Sequence, residues 1–206
     1  MIFKTIYKKI FPGWEYYLIK ETTGYCNALD LACGDNSPIQ YTAIPRKVGV
    51  DMFSEYIRES RRKNIHHEYV CENILTAHFP EKSFDLVLCS EIIEHLDKKD
   101  GFVLLNNAER WARKKVVITT PNGYLPQSSY DDNSLQEHKS GWSVDDFRAR
   151  GYIVHGIGGL KLFKGERAHI KYRPYFLWKI LSDISQKIIY FFPRAAFQLL
   201  AIKKYK

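Results

Sequence analysis

No apolar run in this sequence is long enough to cross a bilayer. The longest, at 188–193 and 102–105, fall far short of the roughly 20 residues a spanning helix needs. Residues 1–20 alternate apolar and basic side chains and lack the continuous apolar stretch and cleavage site of a secretory signal, so a cytoplasmic protein is expected. Cysteine is scarce: the four, Cys26, Cys33, Cys71 and Cys89, form no CxxC pair. Three of them lie within or beside apolar runs, which favours reduced structural thiols over disulfides or zinc. No grouping of His, Asp and Glu has metal-ligand spacing, and no metal is expected. Internal repeats and low-complexity linkers are also missing. At 206 residues, 45% of them apolar, the chain reads as a single domain with its own core.

Acidic residues are nearly absent from the two ends. Residues 161–206 hold eleven Lys or Arg against Glu166 and Asp183, and residues 1–20 hold four Lys against Glu15. Because the whole chain carries +8, residues 21–160 are left mildly acidic. A basic surface of this kind attracts anionic lipid, nucleic acid or a phosphorylated substrate; the plainer alternative is a solvated face that aids solubility. The organisation expected is a basic N-terminal extension over 1–24 and one domain over 25–206.

From residue 25 onward, short β-rich runs alternate with helical stretches, the pattern of a parallel sheet with crossover helices. Strands are expected at 26–31, 47–50, 68–71, 84–89 and 116–119, mostly apolar as strands covered on both faces are. Helices are expected over 52–63 and 100–113, the second with Phe102, Leu105, Ala108 and Ala112 recurring every three or four residues. Pro38 and Pro45 bracket a short helix, and 143–150 reads as another, with Ser143 as N-cap and Gly151 as stop. Two late strands, 152–157 and 196–202, flank a helix over 175–192. Its Leu177, Leu181, Ile184 and Ile188 share one face, and Lys179, Asp183, Gln186 and Lys187 the other. Either that stripe covers the core, or the helix lies in a membrane interface, helped by Trp178, Arg173 and Arg194.

In an open doubly wound sheet, ligands lie across the carboxyl ends of the strands. Here every such end is polar: Asp30, Asp51, Asn73, Ser90 with Glu91, and Thr119 with Thr120. Core packing does not account for the whole set. The run Ala28-Leu29-Asp30-Leu31-Ala32-Cys33-Gly34-Asp35-Asn36-Ser37-Pro38 takes a strand into an acid and then a tight small-residue turn that lets backbone approach a ligand. Asn36 tolerates the left-handed conformation usually given to Gly. Asp51 closes the second strand, where a carboxylate can accept both hydroxyls of a ribose, and Met52 beside it suits an adenine face. A nicotinamide dehydrogenase is excluded, because 32–37 does not supply GxGxxG.

This ordered set resembles the class I S-adenosylmethionine-dependent methyltransferases, especially the small-molecule branch called type 11 or type 12, over about residues 25–160. The resemblance implies a doubly wound, Rossmann-like α/β fold: a mainly parallel seven-stranded sheet with an antiparallel last strand. It implies S-adenosylmethionine as cofactor, with Asp30, Ala32 and Gly34 at its methionine part, Asp51 at the ribose, and Asn73 with Ile74 at the adenine. The run 83–96, containing Ser90, Glu91, Glu94 and His95, then matches the family's fourth strand and active-site loop. Two departures stand out: the family usually has Gly where this chain has Ala32 and Asn36, and an acid where it has Asn73.

Methyl transfer from a sulfonium asks the protein to align the acceptor, exclude water and remove a proton. His95 and His138 are the candidate general bases for an oxygen acceptor; alternatively, His95 pins its own loop and His138 is solvated. The long connection 121–142 offers Tyr124, Tyr130 and Trp142 as acceptor walls, or packs them onto the sheet. The motifs for DNA amino-group and cytosine C5 methylation are absent, since Ser90 is followed by Glu-Ile-Ile and Cys89 follows Leu88. The acceptor expected is a small molecule or a sugar or lipid-linked one (a glycolipid), with peripheral contact to an anionic membrane. An RNA methyltransferase and a non-catalytic S-adenosylmethionine-binding protein are the alternatives.

Overall fold

Strands buried on both faces set the architecture. The computed structural model describes residues 11, 13–127 and 136–205. Within them, β1 (Asn27–Leu31), β2 (Arg46–Asp51), β3 (Glu68–Cys71), β4 (Phe84–Ser90), β5 (Ala112–Pro121), β6 (Ile153–Leu160) and β7 (Ala196–Lys204) make one sheet in the order β3-β2-β1-β4-β5-β7-β6. The pairings from β3 through β5 are parallel, and β7 is antiparallel to both neighbours. This is the doubly wound sheet with an antiparallel last strand that the resemblance implied. In β4, Val87 and Cys89 pack into one core layer and Leu86 and Leu88 into the other, so both faces are covered. β5 starts four residues earlier than its apolar run, because Arg113 and Lys114 pair with the buried Asp85 and so disguise strand as surface. Cys33 and Cys89 are buried, Cys26 and Cys71 exposed, and all four thiols are free.

The helices are α1 (Trp14–Thr22), α2 (Ser54–Arg62), α3 (Lys98–Trp111), α4 (Val144–Arg148) and α5 (Tyr175–Ile189). Among them no helix is long and apolar enough to cross a membrane. α1 lies inside the stretch read as an extension, yet its Leu18 belongs to the core. The ammonium of the buried Lys115 in β5 donates to the Glu21 carbonyl at 2.8 Å and to its carboxylate at 2.9 Å, fastening the end of α1 to the sheet. α4 forms as its sequence indicates: Ser143 and Asp146 cap each other reciprocally, and Gly151 stops the chain at φ +81°.

α5 is turned against its own pattern. Its apolar stripe was a candidate to cover the core, but Leu177, Leu181, Ile184 and Ile188 are exposed, as are Phe191 and Phe192 beyond the helix. Ser182, Gln186 and Ile189 face the sheet instead. The cause lies in β6, whose glycines leave room for close approach. The Gln186 amide donates to the Gly156 carbonyl at 3.1 Å and its oxygen accepts from Gly159 N–H at 2.9 Å, while Ser185 Oγ accepts from Leu160 N–H at 3.0 Å. Polar side chains thus satisfy the backbone of an edge strand, and the apolar face is left outside. A Cβ added at Gly156 would run into the Ile189 carbonyl and the Ala196 methyl. Gly156→Ala should therefore cost about 1–3 kcal/mol by overpacking; an unchanged urea midpoint would show that α5 is not held this way.

Candidate active site

Strand order reverses between β1 and β4, and a cavity of about 380 Å³ opens there at their carboxyl ends. Asp30, Ala32, Gly34, Ser90 and Glu91 line it, five of the residues the sequence singled out. Trp14 of α1, Tyr56 of α2 and Gln136 complete the wall. Those three could not be read from strand ends, because one comes from the N-terminal helix, one from a crossover helix and one from a distant loop.

The turn after β1 is shaped by backbone conformation. Ala32 and Gly34 both sit in the left-handed region, at φ +52° and +56°. The Ala that replaces the family's usual Gly adopts the glycine conformation anyway, at a cost of about 1–2 kcal/mol. Asn36 does not share that conformation; it accepts a hydrogen bond from the Gln40 amide at 3.1 Å. A Cβ built on Gly34 meets nothing within 4 Å, so the side facing the cavity is open.

Asp51 stands behind this turn. One carboxylate oxygen accepts from Gly34 N–H and the other from Phe53 N–H, each at 2.9 Å, and burial pushes its carboxyl above the usual range. Each oxygen keeps a further lone pair, which is what two ribose hydroxyls require. Asp30 is held differently: its Oδ2 lies 2.8 Å from Nε2 of His66, and both side chains are buried. Nδ1 of His66 is 3.3 Å from Ser60 Oγ. His66 was not among the residues read from the sequence, although its neighbour carried a signal. A Cβ on Gly49 would come within 2.8 Å of the His66 ring, so the glycine in mid-strand marks where the imidazole crosses.

The adenine positions lie outside the cavity lining. Met52 is half exposed just past Asp51, and Asn73 Oδ1 accepts from Leu75 N–H at 2.9 Å, closing its own turn. Ile74, beside it, is packed into the core.

A second cavity of about 220 Å³ adjoins the first, sharing Glu91 and Gln136 with it. Glu94, His95, His138, Phe197 and Gln198 line it. Glu91 is set at φ +52°; its Oε2 accepts from the Gln198 amide at 3.0 Å, and its Oε1 is buried without a partner. Thr120 Oγ1 donates to Glu94 at 2.9 Å. Burial raises the carboxyls of both glutamates, Glu94 well above its usual range with Glu91 adding to the effect.

His95 Nδ1 lies 3.1 Å from the Glu137 carbonyl and His138 Nδ1 lies 2.6 Å from the Leu125 carbonyl. A carbonyl can only accept, so each Nδ1 carries a proton; the Gln136 carbonyl is a second acceptor beside the His95 ring. Burial holds both rings neutral, His95 pushed down to about 4 with His138 contributing, and His138 lowered. The ring centroids are 4.8 Å apart.

Of the expected acceptor walls, Trp142 is wholly buried and donates to the Ile93 carbonyl at 3.2 Å, so it belongs to the core. Tyr124 is exposed and donates to the His138 carbonyl at 3.3 Å. Tyr130 lies outside the described residues.

Comparison with known proteins bears on this geometry. Residues 29–119 match the methyltransferase domain family of the type 11 branch. An uncharacterized protein of Methanocaldococcus jannaschii is 25% identical over 130 residues, which are 61% of this chain and 54% of that one. The chain thus spans about half the length of that curated relative. A SAM-dependent methyltransferase of Archaeoglobus fulgidus superposes over 98% of this chain and 99% of its own, with a TM-score of 0.60 at 18% identity. The plantazolicin methyltransferase BpumL, solved in complex with SAH, superposes over 93% and 80% with a TM-score of 0.56 at 16% identity.

The Gly34 geometry has a direct consequence. Gly34→Ala should lower stability by about 1–2 kcal/mol, the cost of an L-residue in the left-handed region, while its methyl enters the open side of the turn. In calorimetric titration S-adenosylhomocysteine should bind about tenfold weaker or worse, ~1.4 kcal/mol. Undiminished affinity would place the cofactor elsewhere. With the motif order, the sheet topology and the cavity at the β1–β4 switch in agreement, residues 29–119 are similar to the methyltransferase domain family, and the fold is that of S-adenosylmethionine-dependent methyltransferases.

Proposed function

We infer that this chain transfers the methyl group of S-adenosylmethionine to an oxygen of a small or lipid-linked molecule, a glycolipid among the candidates, while seated on an anionic membrane surface. The observation that carries this reading is the outward apolar face of α5 with Phe191 and Phe192, an unusual exposure for so many large apolar side chains. Exposed Lys171, Arg173 and Lys187 lie around it, the composition of an interfacial helix attracted to anionic headgroups. The segment that enters α5 also reaches the second cavity, through Ala168. An acceptor anchored in the interface is thereby delivered close to the cofactor.

When bound, S-adenosylmethionine supplies an electrophilic methyl carbon on a sulfonium and departs as a thioether. The residues of this chain do the rest. Asp51 and the Gly34 turn orient the cofactor, and the Glu91–Gln136 boundary sets where the two cavities meet. Glu91 borders both, and its unpartnered Oε1 is the group best placed to take the acceptor's proton. Because Glu91 borders both cavities whereas His95 and His138 line only the second, the role read for the histidines passes to the carboxylate.

Two outcomes are expected. The chain should float with vesicles containing phosphatidylglycerol and remain behind with phosphatidylcholine alone, and Ile188→Glu with Phe191→Glu should abolish flotation without changing the circular dichroism spectrum. Retention of wild type in the unbound fraction at low salt would overturn the membrane reading. Label from methyl-tritiated S-adenosylmethionine should enter a lipid extract of the host membranes, and Glu91→Gln should slow that transfer about a hundredfold or more while keeping S-adenosylhomocysteine affinity.

A further inference from the structure

The second cavity holds an arrangement that neither the fold nor methyl transfer from a sulfonium requires. Glu94, His95 and His138 are all buried, and one ligand-capable atom from each lies within 4.8 Å of the other two. Glu94 and His95 are adjacent in the loop after β4, whereas His138 comes from the loop after β5, and the two loops are latched together. Lys139 N–H and Ser140 N–H donate to the Glu94 carbonyl at 2.8 and 3.0 Å, so the separation of the two imidazoles is set by backbone.

In each ring Nδ1 is held by a backbone carbonyl, the outer-sphere pattern that orients ligating histidines. A second, independent observation points the same way: Glu91 Oε1 is buried against the same cavity with no hydrogen-bond partner. Among the described residues no lysine or arginine forms an ion pair with Glu91 or Glu94. Two glutamates and two imidazoles thus line one cavity with no basic side chain paired to either glutamate.

We propose that Glu94, His95 and His138 bind one divalent transition-metal ion, with Glu91 facing it from the cofactor side and the remaining coordination positions open to an oxygen of the methyl acceptor. Two imidazoles and a carboxylate suit zinc, manganese, iron or cobalt better than calcium or magnesium, which prefer all-oxygen sets. The ion compensates the buried carboxylates and fixes the acceptor's hydroxyl at the boundary of the two cavities. In the transfer itself, the hydroxyl proton goes to Glu91, an oxygen lone pair forms the new bond to the methyl carbon, and the C–S bond breaks with its electrons left on sulfur. The ion is neither oxidised nor reduced. This assignment deepens the oxygen-methyltransferase reading and rests on it for the role of the ion, though not for its binding.

The test uses the full, untagged chain, stripped with a chelator and titrated with Mn2+ alone, followed by electron paramagnetic resonance. One saturable site in the micromolar range, displaced by Zn2+, is expected. His138→Asn and Glu94→Gln should each weaken it at least tenfold with unchanged circular dichroism, and both should still bind S-adenosylhomocysteine. Asp51→Asn should do the reverse, losing S-adenosylhomocysteine and keeping Mn2+. If the wild-type chain binds neither Mn2+ nor Zn2+, or if both ligand variants bind as tightly as wild type, the site is overturned. Failure of S-adenosylhomocysteine to bind in the same series would strike the cofactor reading separately.

Discussion

Two glutamates must be placed on one cavity beyond the central strand, and much of the molecule is arranged around that constraint. Glu91 and Glu94 belong to the loop that leaves β4 at the centre of the sheet, where the carboxyl-terminal halves of the neighbouring strands β1 and β5 are buried. To place both, the backbone turns through a left-handed residue at Glu91 and is then pinned from the opposite loop. Ile93 O accepts from both Trp142 Nε1 and Ser140 Oγ, and Lys98 lies 3.8 Å above the Trp142 ring while donating to Gly141 O. The latch between the loops after β4 and β5 therefore settles the depth of the site, the spacing of its histidines and the wall shared by the two cavities.

The cofactor half follows from a different economy of space. Gly34 and Ala32 adopt left-handed conformations so that backbone, in place of side chains, faces the ligand. Asp51 holds the turn from behind and retains lone pairs for a ribose. Asp30 is fixed by His66, an imidazole that passes over the strand only because position 49 has no side chain. Positioning here comes from residues two layers deep, which is why a methyl group at either glycine has consequences out of proportion to its size.

The far edge of the sheet obeys a third rule. An edge strand needs its backbone satisfied, and in β6 the glycines let Gln186 and Ser185 do it directly. Turning the polar face inward forces the apolar face outward. The exposed stripe of α5 is thus a consequence of how the edge is closed.

The order of strands and crossovers was legible because apolar runs of four to seven residues alternate with helical spacing, and because every carboxyl end is polar. Asp30, Ala32, Gly34, Ser90 and Glu91 were legible for the same reason: chain order at the switch point places them on one cavity whatever the details of packing. Three things were decided only in three dimensions. His66 reaches Asp30, and Trp14 reaches the cofactor cavity, through packing between elements far apart in sequence. Glu94, His95 and His138 converge although their spacing in the chain carries no ligand pattern, since two loops from adjacent strands must meet before the grouping exists. The face that α5 presents was open in the sequence, because periodicity states that a helix has two faces and only the partner strand, here rich in glycine, selects which one is buried.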